Sequence, residues 1–92
     1  MLEQRQFERK PFDETFYCAV TVLDIIDTKV LNLVARGIDI GEGGIGIKTD
    51  YPLEPGHVLR LNKPLNHKNV GVVRWCENGE NKGIYRVGVK FV

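Results

Sequence analysis

The sequence has few of the residues that mark catalytic, metal-binding or membrane-spanning proteins. It contains two cysteines and two histidines among 92 residues, and His57 and His67 have no cysteine or carboxylate at the spacing that metal ligands require. Neither Cys18 nor Cys76 has a histidine placed to activate it as a nucleophile. No apolar run reaches the length of a membrane span. We therefore predict a protein that is not an enzyme, holds no metal ion or cofactor, and does not insert into a membrane.

The chain also lacks an excess of charge of either sign. Its formal net charge is +1, so no overall field draws it to a nucleic acid polymer. A small RNA-binding barrel is an alternative, but no basic face lined with aromatic side chains is evident from the sequence. Both cysteines lie in apolar runs, as buried free thiols do in a reducing compartment, and the polar start at residues 1–4 is unlike a signal peptide. These features predict a cytoplasmic protein.

What the sequence does contain is a series of short strands. A length of 92 residues allows one domain. No stretch of ten or more residues has a helical period, whereas apolar and polar residues alternate as in half-buried strands. We predict an all-β fold, a small six-stranded antiparallel barrel, because closure removes exposed strand edges. The predicted strands cover residues 16–23, 30–40, 45–49, 57–61, 67–76 and 84–92.

The last two predicted strands indicate which side chains face the core. In the strand that contains Val73 and Trp75, these two residues are predicted to share a face, so Trp75 is expected in the core with its N–H reaching the surface. In the final strand one face carries Arg86 and Lys90 and the other is apolar. The apolar face comprises Tyr85, Val87, Val89 and Phe91.

A glycine-rich turn joins the second and third predicted strands, where Asp39 precedes Gly41, Glu42, Gly43 and Gly44. Bare backbone in such a turn can point several N–H groups into one concavity that suits an anion, and an ionised Asp39 accepts from an N–H donor. Donors and an acceptor in one turn suit a nucleotide better than a bare phosphate. Two plainer interpretations stay open: an ordinary hairpin turn, and an aspartate that caps its own turn.

Residues 1–12 are polar and charged, and we predict that they form a flexible N-terminal arm. The arm contains Arg5 and Arg9, four residues apart, and Pro11 disfavours helical geometry at the residue before it. Paired arginines in a charged segment are often simply solvated. A guanidinium fork also binds phosphate and guanine edges, which makes Arg5 and Arg9 candidate ligand-binding residues.

Together the arm and the turn resemble the PilZ domain family. The family pattern is R-x-x-x-R followed about thirty residues later by [D/N]-x-S-x-x-G, and here Arg5 and Arg9 precede Asp39 and Gly44 in that order. Segments 72–75 and 85–91 also look like the closing strands of the family, so the resemblance covers nearly the whole chain. It implies a single domain over residues 1–92, with 1–12 as the arm and 13–92 as a six-stranded barrel.

The resemblance also implies a function. PilZ domains bind the bacterial second messenger cyclic di-GMP, in signalling that controls motility and biofilm formation. Carried over to this chain, Arg5 and Arg9 would grip guanine edges and phosphates. Asp39 would accept a guanine N–H, and Gly44 would leave room for the ligand. Ordering of the arm on binding would relay the signal to an unknown downstream protein.

One position of the family pattern differs, because Gly41 stands where the family has serine. A serine hydroxyl bonded to a phosphate would contribute roughly 1.5–3 kcal/mol, so its absence predicts binding that is about ten- to a hundredfold weaker, with Gly41 still in the site. Two alternatives follow from this substitution. The ligand is a related cyclic dinucleotide with one adenine, or the chain is a degenerate adaptor that binds only protein.

Overall fold

The computed structural model describes residues 9–23 and 26–92, and this part of the chain is all β. Every strand pairing is antiparallel, in the order β1-β3-β2-β5-β6-β7-β4, and a pairing of β3 with β4 closes the barrel. The predicted six-stranded barrel is confirmed, with β1 as an additional short strand. The strands are β1 (Lys10–Pro11), β2 (Thr15–Leu23), β3 (Thr28–Ile40), β4 (Gly44–Thr49), β5 (Val58–Leu65), β6 (Lys68–Asn78) and β7 (Tyr85–Phe91).

The inward faces of the strands form one hydrophobic core. Alternation along β2 is typical, with Phe16, Cys18 and Val20 buried while Tyr17 and Thr21 are exposed. The predicted faces of the final strand are also confirmed, since Val87, Val89 and Phe91 are core residues whereas Arg86 and Lys90 are exposed. The largest fully buried side chains are Phe16, Ile45, Ile47, Leu59, Val20, Val73 and Val87. Within the described ranges no helix has the length and hydrophobicity of a membrane span.

The end of the predicted arm is part of the sheet. Lys10 pairs with Ile40 and Pro11 pairs with Asp39, so β1 adds a two-residue strand to β3. Proline is tolerated here because β1 lies at the end of the strand order, where a missing N–H breaks no central ladder. The backbone N–H of Phe12 then donates to the carbonyl of Ile38 and continues this connection. The pairing holds the chain just before β2 against the end of β3.

Strand β5 is longer than predicted. The sequence predicts a strand over residues 57–61, but the strand continues to Leu65 across a register shift between Arg60 and Leu65. The turn into β6 consists of Asn66 and His67, whose φ angles of 52° and 66° are both positive. Two-residue hairpin turns with both φ angles positive match the twist of the flanking strands, and asparagine tolerates this conformation better than most residues.

The prediction that Trp75 lies in the core is wrong. The register of β6 against β7 shifts between Val73 and Trp75, so the pairing passes from Val73–Val89 directly to Trp75–Gly88. Arg74 is therefore an extra residue in β6, and the side chains after it change face. Val73 is buried and Cys76 packs against the core, whereas Trp75 is 45% exposed on the outside of the barrel.

We expect the folded protein to lose stability at alkaline pH because of the buried thiol of Cys18. Burial raises the pKa of its thiol from 9.0 to about 11, because a thiolate is poorly solvated in an apolar core. The folded state thus favours the neutral thiol, and this contribution is complete below pH 9 and lost as the pH rises towards 11. We expect the free energy of unfolding, measured in urea, to fall by up to about 1.4 kcal/mol per pH unit in this window.

The control for this prediction is Cys18→Ala. Every other contribution to the pH dependence is shared by the two chains, so only the difference between their slopes reports on Cys18. The parent chain should lose stability more steeply than Cys18→Ala between the two pKa values. Equal slopes would show that the thiol is solvated when it ionises.

Candidate ligand-binding face

Arg9 and Asp39 are brought together by the pairing of β1 with β3. Arg9 directly precedes β1, and Asp39 faces Pro11 across the ladder. Arg9 Nη2 donates to Asp39 Oδ1 at 2.7 Å, and the two side chains are 30% and 40% exposed. A charge-assisted hydrogen bond between half-buried groups is stronger than a bond between neutral groups. Two of the residues predicted to bind the ligand, thirty positions apart in sequence, are therefore in direct contact.

A bulge in β3 sets the direction of the Asp39 side chain. Against β4 the pairing passes from Gly37–Ile47 to Asp39–Gly46, so Ile38 is an extra residue in β3. A Cβ atom at Gly46 would lie 2.8 Å from Asp39 Oδ1 and 3.8 Å from Arg9 Nη2. Gly46 therefore leaves the space in which the carboxylate and the guanidinium meet on the outside of the barrel.

A second glycine lies next to Gly46 and is covered by the indole of Trp75. Gly46 pairs with Gly88 across β4 and β7, and Gly88 pairs with Trp75 across β7 and β6. A Cβ atom at Gly88 would collide with Cε2 and Nε1 of the indole. The row Asp39–Gly46–Gly88–Trp75 thus runs across four strands, with a charged pair over one glycine and an aromatic ring over the other. We call this row and Arg9 the glycine shelf.

Both shelf glycines point outward because their neighbours along the strands point inward. Ile45 and Ile47 flank Gly46, and Val87 and Val89 flank Gly88, and all four are buried core residues. Both glycines are nevertheless buried, because the Arg9–Asp39 pair covers Gly46 and the indole of Trp75 covers Gly88. The shelf therefore presents a charged pair and an aromatic ring to an approaching molecule.

The glycine-rich turn at residues 41–44 is held by hydrogen bonds of its own. The N–H of Gly41 donates to the carbonyl of Gly44 at 2.9 Å, and the carbonyl of Gly41 accepts from Asn66 Nδ2 at 3.0 Å. The carbonyl of Gly43 accepts from the N–H of Phe91. Among the described glycines, positive φ angles occur at Gly56 and Gly83. The turn therefore differs from the predicted anion nest, because it lacks the left-handed residue of such nests and its first N–H is already bonded.

Gly44 has a packing role that the sequence did not indicate. A Cβ atom at this position would collide with the backbone carbonyl oxygen of Val89 in β7. Glycine at 44 therefore allows β4 and β7 to approach closely. The predicted contact between Gly44 and a ligand stays a prediction beside this structural role.

Cationic side chains flank the glycine shelf on its outer face. Lys48 pairs with Arg86 in the row of residues next to the shelf, and Lys90 pairs with Gly44 on its other side. Arg86 also forms an ion pair with Glu77, in which Nη1 of Arg86 lies 3.7 Å from Oε2 of Glu77. Cations and an exposed indole therefore lie on one face, together with the carboxylates of Asp39 and Glu77. This grouping is not evident from the sequence because its members come from several strands and because the bulge in β6 moves Trp75 outward.

Arg36 and Asp13 form a second arginine–aspartate pair that is mostly exposed. Arg36 donates to both carboxylate oxygens of Asp13, at 2.9 and 3.2 Å. These hydrogen bonds and the charge of Arg36 lower the pKa of Asp13, and the same contacts raise the pKa of Arg36. The side chains of Arg36 and Asp13 are 63% and 74% exposed, about twice as much as those of the Arg9–Asp39 pair. The exposed pair provides a control for the half-buried one.

Four of the five residues predicted to bind the ligand are described, and they lie close together. Arg9 contacts Asp39, and Gly41 bonds to Gly44 at the turn that follows β3. Arg5 lies outside the described residues. The sequence did not point to the other members of this face: Gly46, Asn66, Trp75 and Gly88. Alternation could have placed Gly46 and Gly88 outward, whereas the bulge that exposes Trp75 has no such sequence signal.

Comparison with known proteins identifies the family. A model of the PilZ domain matches residues 3–92, while no curated protein and no solved structure matches the chain. The match includes the arm from residue 3 onward, the glycine-rich turn and the closing strands. Because it spans nearly the whole chain, the protein belongs to the PilZ domain family.

Proposed function

We propose that this PilZ domain is a receptor for cyclic di-GMP and has no catalytic activity of its own. The observation that carries the proposal is the Arg9–Asp39 pair, which joins the two halves of the family motif above Gly46. Family membership supplies the ligand class. The glycine shelf supplies a carboxylate acceptor, a guanidinium donor and an indole, and these groups suit a guanine nucleotide.

The chemistry of guanine fits the groups of the shelf. Guanine has two acceptors on one edge that suit an arginine fork, and it has N–H donors that suit a carboxylate such as Asp39. Its ring can stack on an exposed indole. Trp75 lies in the same row across the sheet as Gly46 and Asp39, with Gly88 between Trp75 and Gly46. Lys48 and Lys90 add positive charge near the phosphates. In this arrangement the arm brings Arg9, and by the family motif Arg5, onto the same ligand.

Calorimetric titration with cyclic di-GMP tests the proposal. We expect a saturable heat, and GMP at the same concentration should give little because it lacks the second base and the cyclic diphosphate. No heat at tens of micromolar cyclic di-GMP would overturn the proposal. A titration with the cyclic dinucleotide that carries one adenine, run in parallel, identifies altered ligand choice.

Tryptophan fluorescence should report the same binding event. The chain contains one tryptophan, and Trp75 is 45% exposed on the shelf. We expect saturating cyclic di-GMP to quench and shift its emission, with a midpoint equal to the calorimetric dissociation constant. Unchanged emission at calorimetric saturation would place the ligand away from the indole.

Restoring the family serine should tighten binding. Position 41 lies at the turn beside Asn66 and Gly44, and its backbone bonds do not depend on the side chain. Gly41→Ser adds a hydroxyl that can donate to a phosphate, so we expect the dissociation constant for cyclic di-GMP to fall about ten- to a hundredfold. Gly41→Ala is the matched control, because it adds the same Cβ without the hydroxyl and should not tighten binding.

A second function, that of an adaptor that binds only protein, is favoured by one observation. The Asp39 carboxylate accepts a hydrogen bond from Arg9, so a nucleotide N–H must compete with this guanidinium for it. If neither the parent chain nor Gly41→Ser binds a cyclic dinucleotide, and a protein partner is captured equally with and without one, the adaptor function replaces the receptor function. In both cases the output is a protein–protein contact, which we place in the cytoplasm.

A further inference from the structure

Half of strand β3 has one edge without a partner among the described residues. Arg36 pairs with Thr15 of β2 and also with Lys48 of β4, so these two strands lie on opposite edges of β3. The pairing with β2 covers Thr28 to Arg36, whereas β4 covers only Arg36 to Ile40. Over Val30–Ala35 the second edge therefore meets no strand of residues 9–23 or 26–92. The closed barrel thus continues into a β2–β3 hairpin that extends beyond it.

This edge carries few of the features by which monomeric proteins prevent an edge strand from pairing with another chain. Val30–Ala35 contains no proline, no glycine and no charged residue. The outward side chains of Val30 and Val34 are 60% and 51% exposed. Tyr17, which pairs with Val34 on the adjacent strand, is 62% exposed. An edge with these properties is a template for another extended strand.

We propose that this edge binds the same edge of a second copy of the chain, as an antiparallel β3–β3 pair whose two-fold axis passes through Asn32. The two hairpins then form one continuous four-stranded sheet. In a symmetric antiparallel pair, residues whose numbers sum to a constant face each other. With Asn32 opposite Asn32 of the second copy, Val30 faces its Val34 and Leu31 faces its Leu33.

The self-complementarity of this register identifies a second copy as the occupant. It puts the two exposed valines opposite each other on the outer face and the partly or fully buried leucines on the inner face. Lys29 faces Ala35 of the second copy, so no like charges meet. A shift of the axis by one residue to Leu31 would put Val30 opposite Asn32 and Lys29 opposite Leu33, and both apolar pairs would be lost.

The proposed interface is independent of the ligand site. Asp39 and the glycine shelf lie on the other side of the bulge at Gly37–Asp39, beyond the last residue of the free edge. Dimerisation should therefore occur with and without cyclic di-GMP, and its failure would leave the receptor function unaffected. A seven-residue strand pair is a small interface, so the dimer is expected to be weak and to need high protein concentration.

Sedimentation equilibrium of the full chain tests the dimer. We expect the mass to rise from 10.4 kDa towards twice that value as concentration increases. Changing both Val30→Lys and Val34→Lys places lysines opposite each other in two positions, and should raise the dimer dissociation constant tenfold or more. Val58→Lys is the matched control, because Val58 is 41% exposed but lies on β5, which pairs with strands on both edges.

A constant monomer mass up to millimolar concentration would overturn the proposal, as would a double variant that dimerises like the parent chain. If this edge binds a different protein instead, the isolated chain would show the same constant monomer mass.

Disulfide trapping tests the register. The chain with Cys76→Ser and Asn32→Cys should form a covalent dimer under mild oxidation, because the two introduced thiols face each other across the axis. Arg60→Cys in the same background is the control, since Arg60 lies on the outer face of β5 away from the edge. Equal cross-linking of both variants, or none at position 32, would overturn the proposed register.

Discussion

The Arg9→Ala variant is expected to bind cyclic di-GMP at least a hundredfold more weakly than the parent chain. Arg9 lies on the glycine shelf with its guanidinium 2.7 Å from Asp39 Oδ1. In the proposed complex it donates both to a guanine edge and to a phosphate. Each hydrogen bond to a charged group contributes roughly 1.5–3 kcal/mol, and a hundredfold change corresponds to about 2.8 kcal/mol. Calorimetry measures this loss directly.

The control for Arg9→Ala is Arg36→Ala. Both variants remove an arginine that pairs with an aspartate, but the Arg36–Asp13 pair is about twice as exposed and lies one row away from the shelf. Arg36→Ala should change the affinity less than threefold. Neither variant should change the free energy of unfolding by more than about 1 kcal/mol, because partly exposed ion pairs contribute little to stability. Equal affinity losses would indicate that general positive charge, rather than the shelf, attracts the ligand.

Gly44→Ala is expected to destabilise the barrel more than any other glycine substitution on this face. The added Cβ would collide with the carbonyl oxygen of Val89, which is backbone and part of the β4–β7 ladder. Since no side chain can rotate away, the two strands must separate. Overpacking of this kind costs roughly 1–3 kcal/mol, which lowers Tm by about 4–8 °C per kcal/mol in a domain of this size. Thermal unfolding followed by circular dichroism measures the shift.

Gly46→Ala separates the packing role of a glycine from a role in the ligand site. Its added Cβ would meet Asp39 Oδ1 at 2.8 Å, and this atom belongs to a side chain that can move. We expect a smaller loss of Tm than for Gly44→Ala, together with a larger loss of cyclic di-GMP affinity per kcal/mol of lost stability, because the carboxylate is displaced from Arg9. If Gly44→Ala leaves Tm unchanged and only weakens binding, Gly44 makes room for the ligand, as the family resemblance implies.

The strand pattern, the closed barrel and the family were all readable from residue order. Alternation of apolar and polar side chains has a period of two along a strand, so each residue reports its face through its neighbours in the chain. This is why the faces of Val87, Val89, Arg86 and Lys90 were predicted correctly. The motif residues Arg9 and Asp39 could be identified from the sequence for a different reason, because a family motif is defined by residue types at a given spacing.

Features that depend on how distant strands pair were decided only by the tertiary structure. The bulges at Ile38 and Arg74 set the directions of Asp39 and Trp75, and each bulge is defined by a partner strand that local sequence does not specify. The same holds for the glycine shelf and for the edge at Val30–Ala35 of β3, which no described strand covers because β4 ends its pairing at Arg36. Residue order determines which face each side chain takes within a regular strand, whereas register between strands determines which side chains meet.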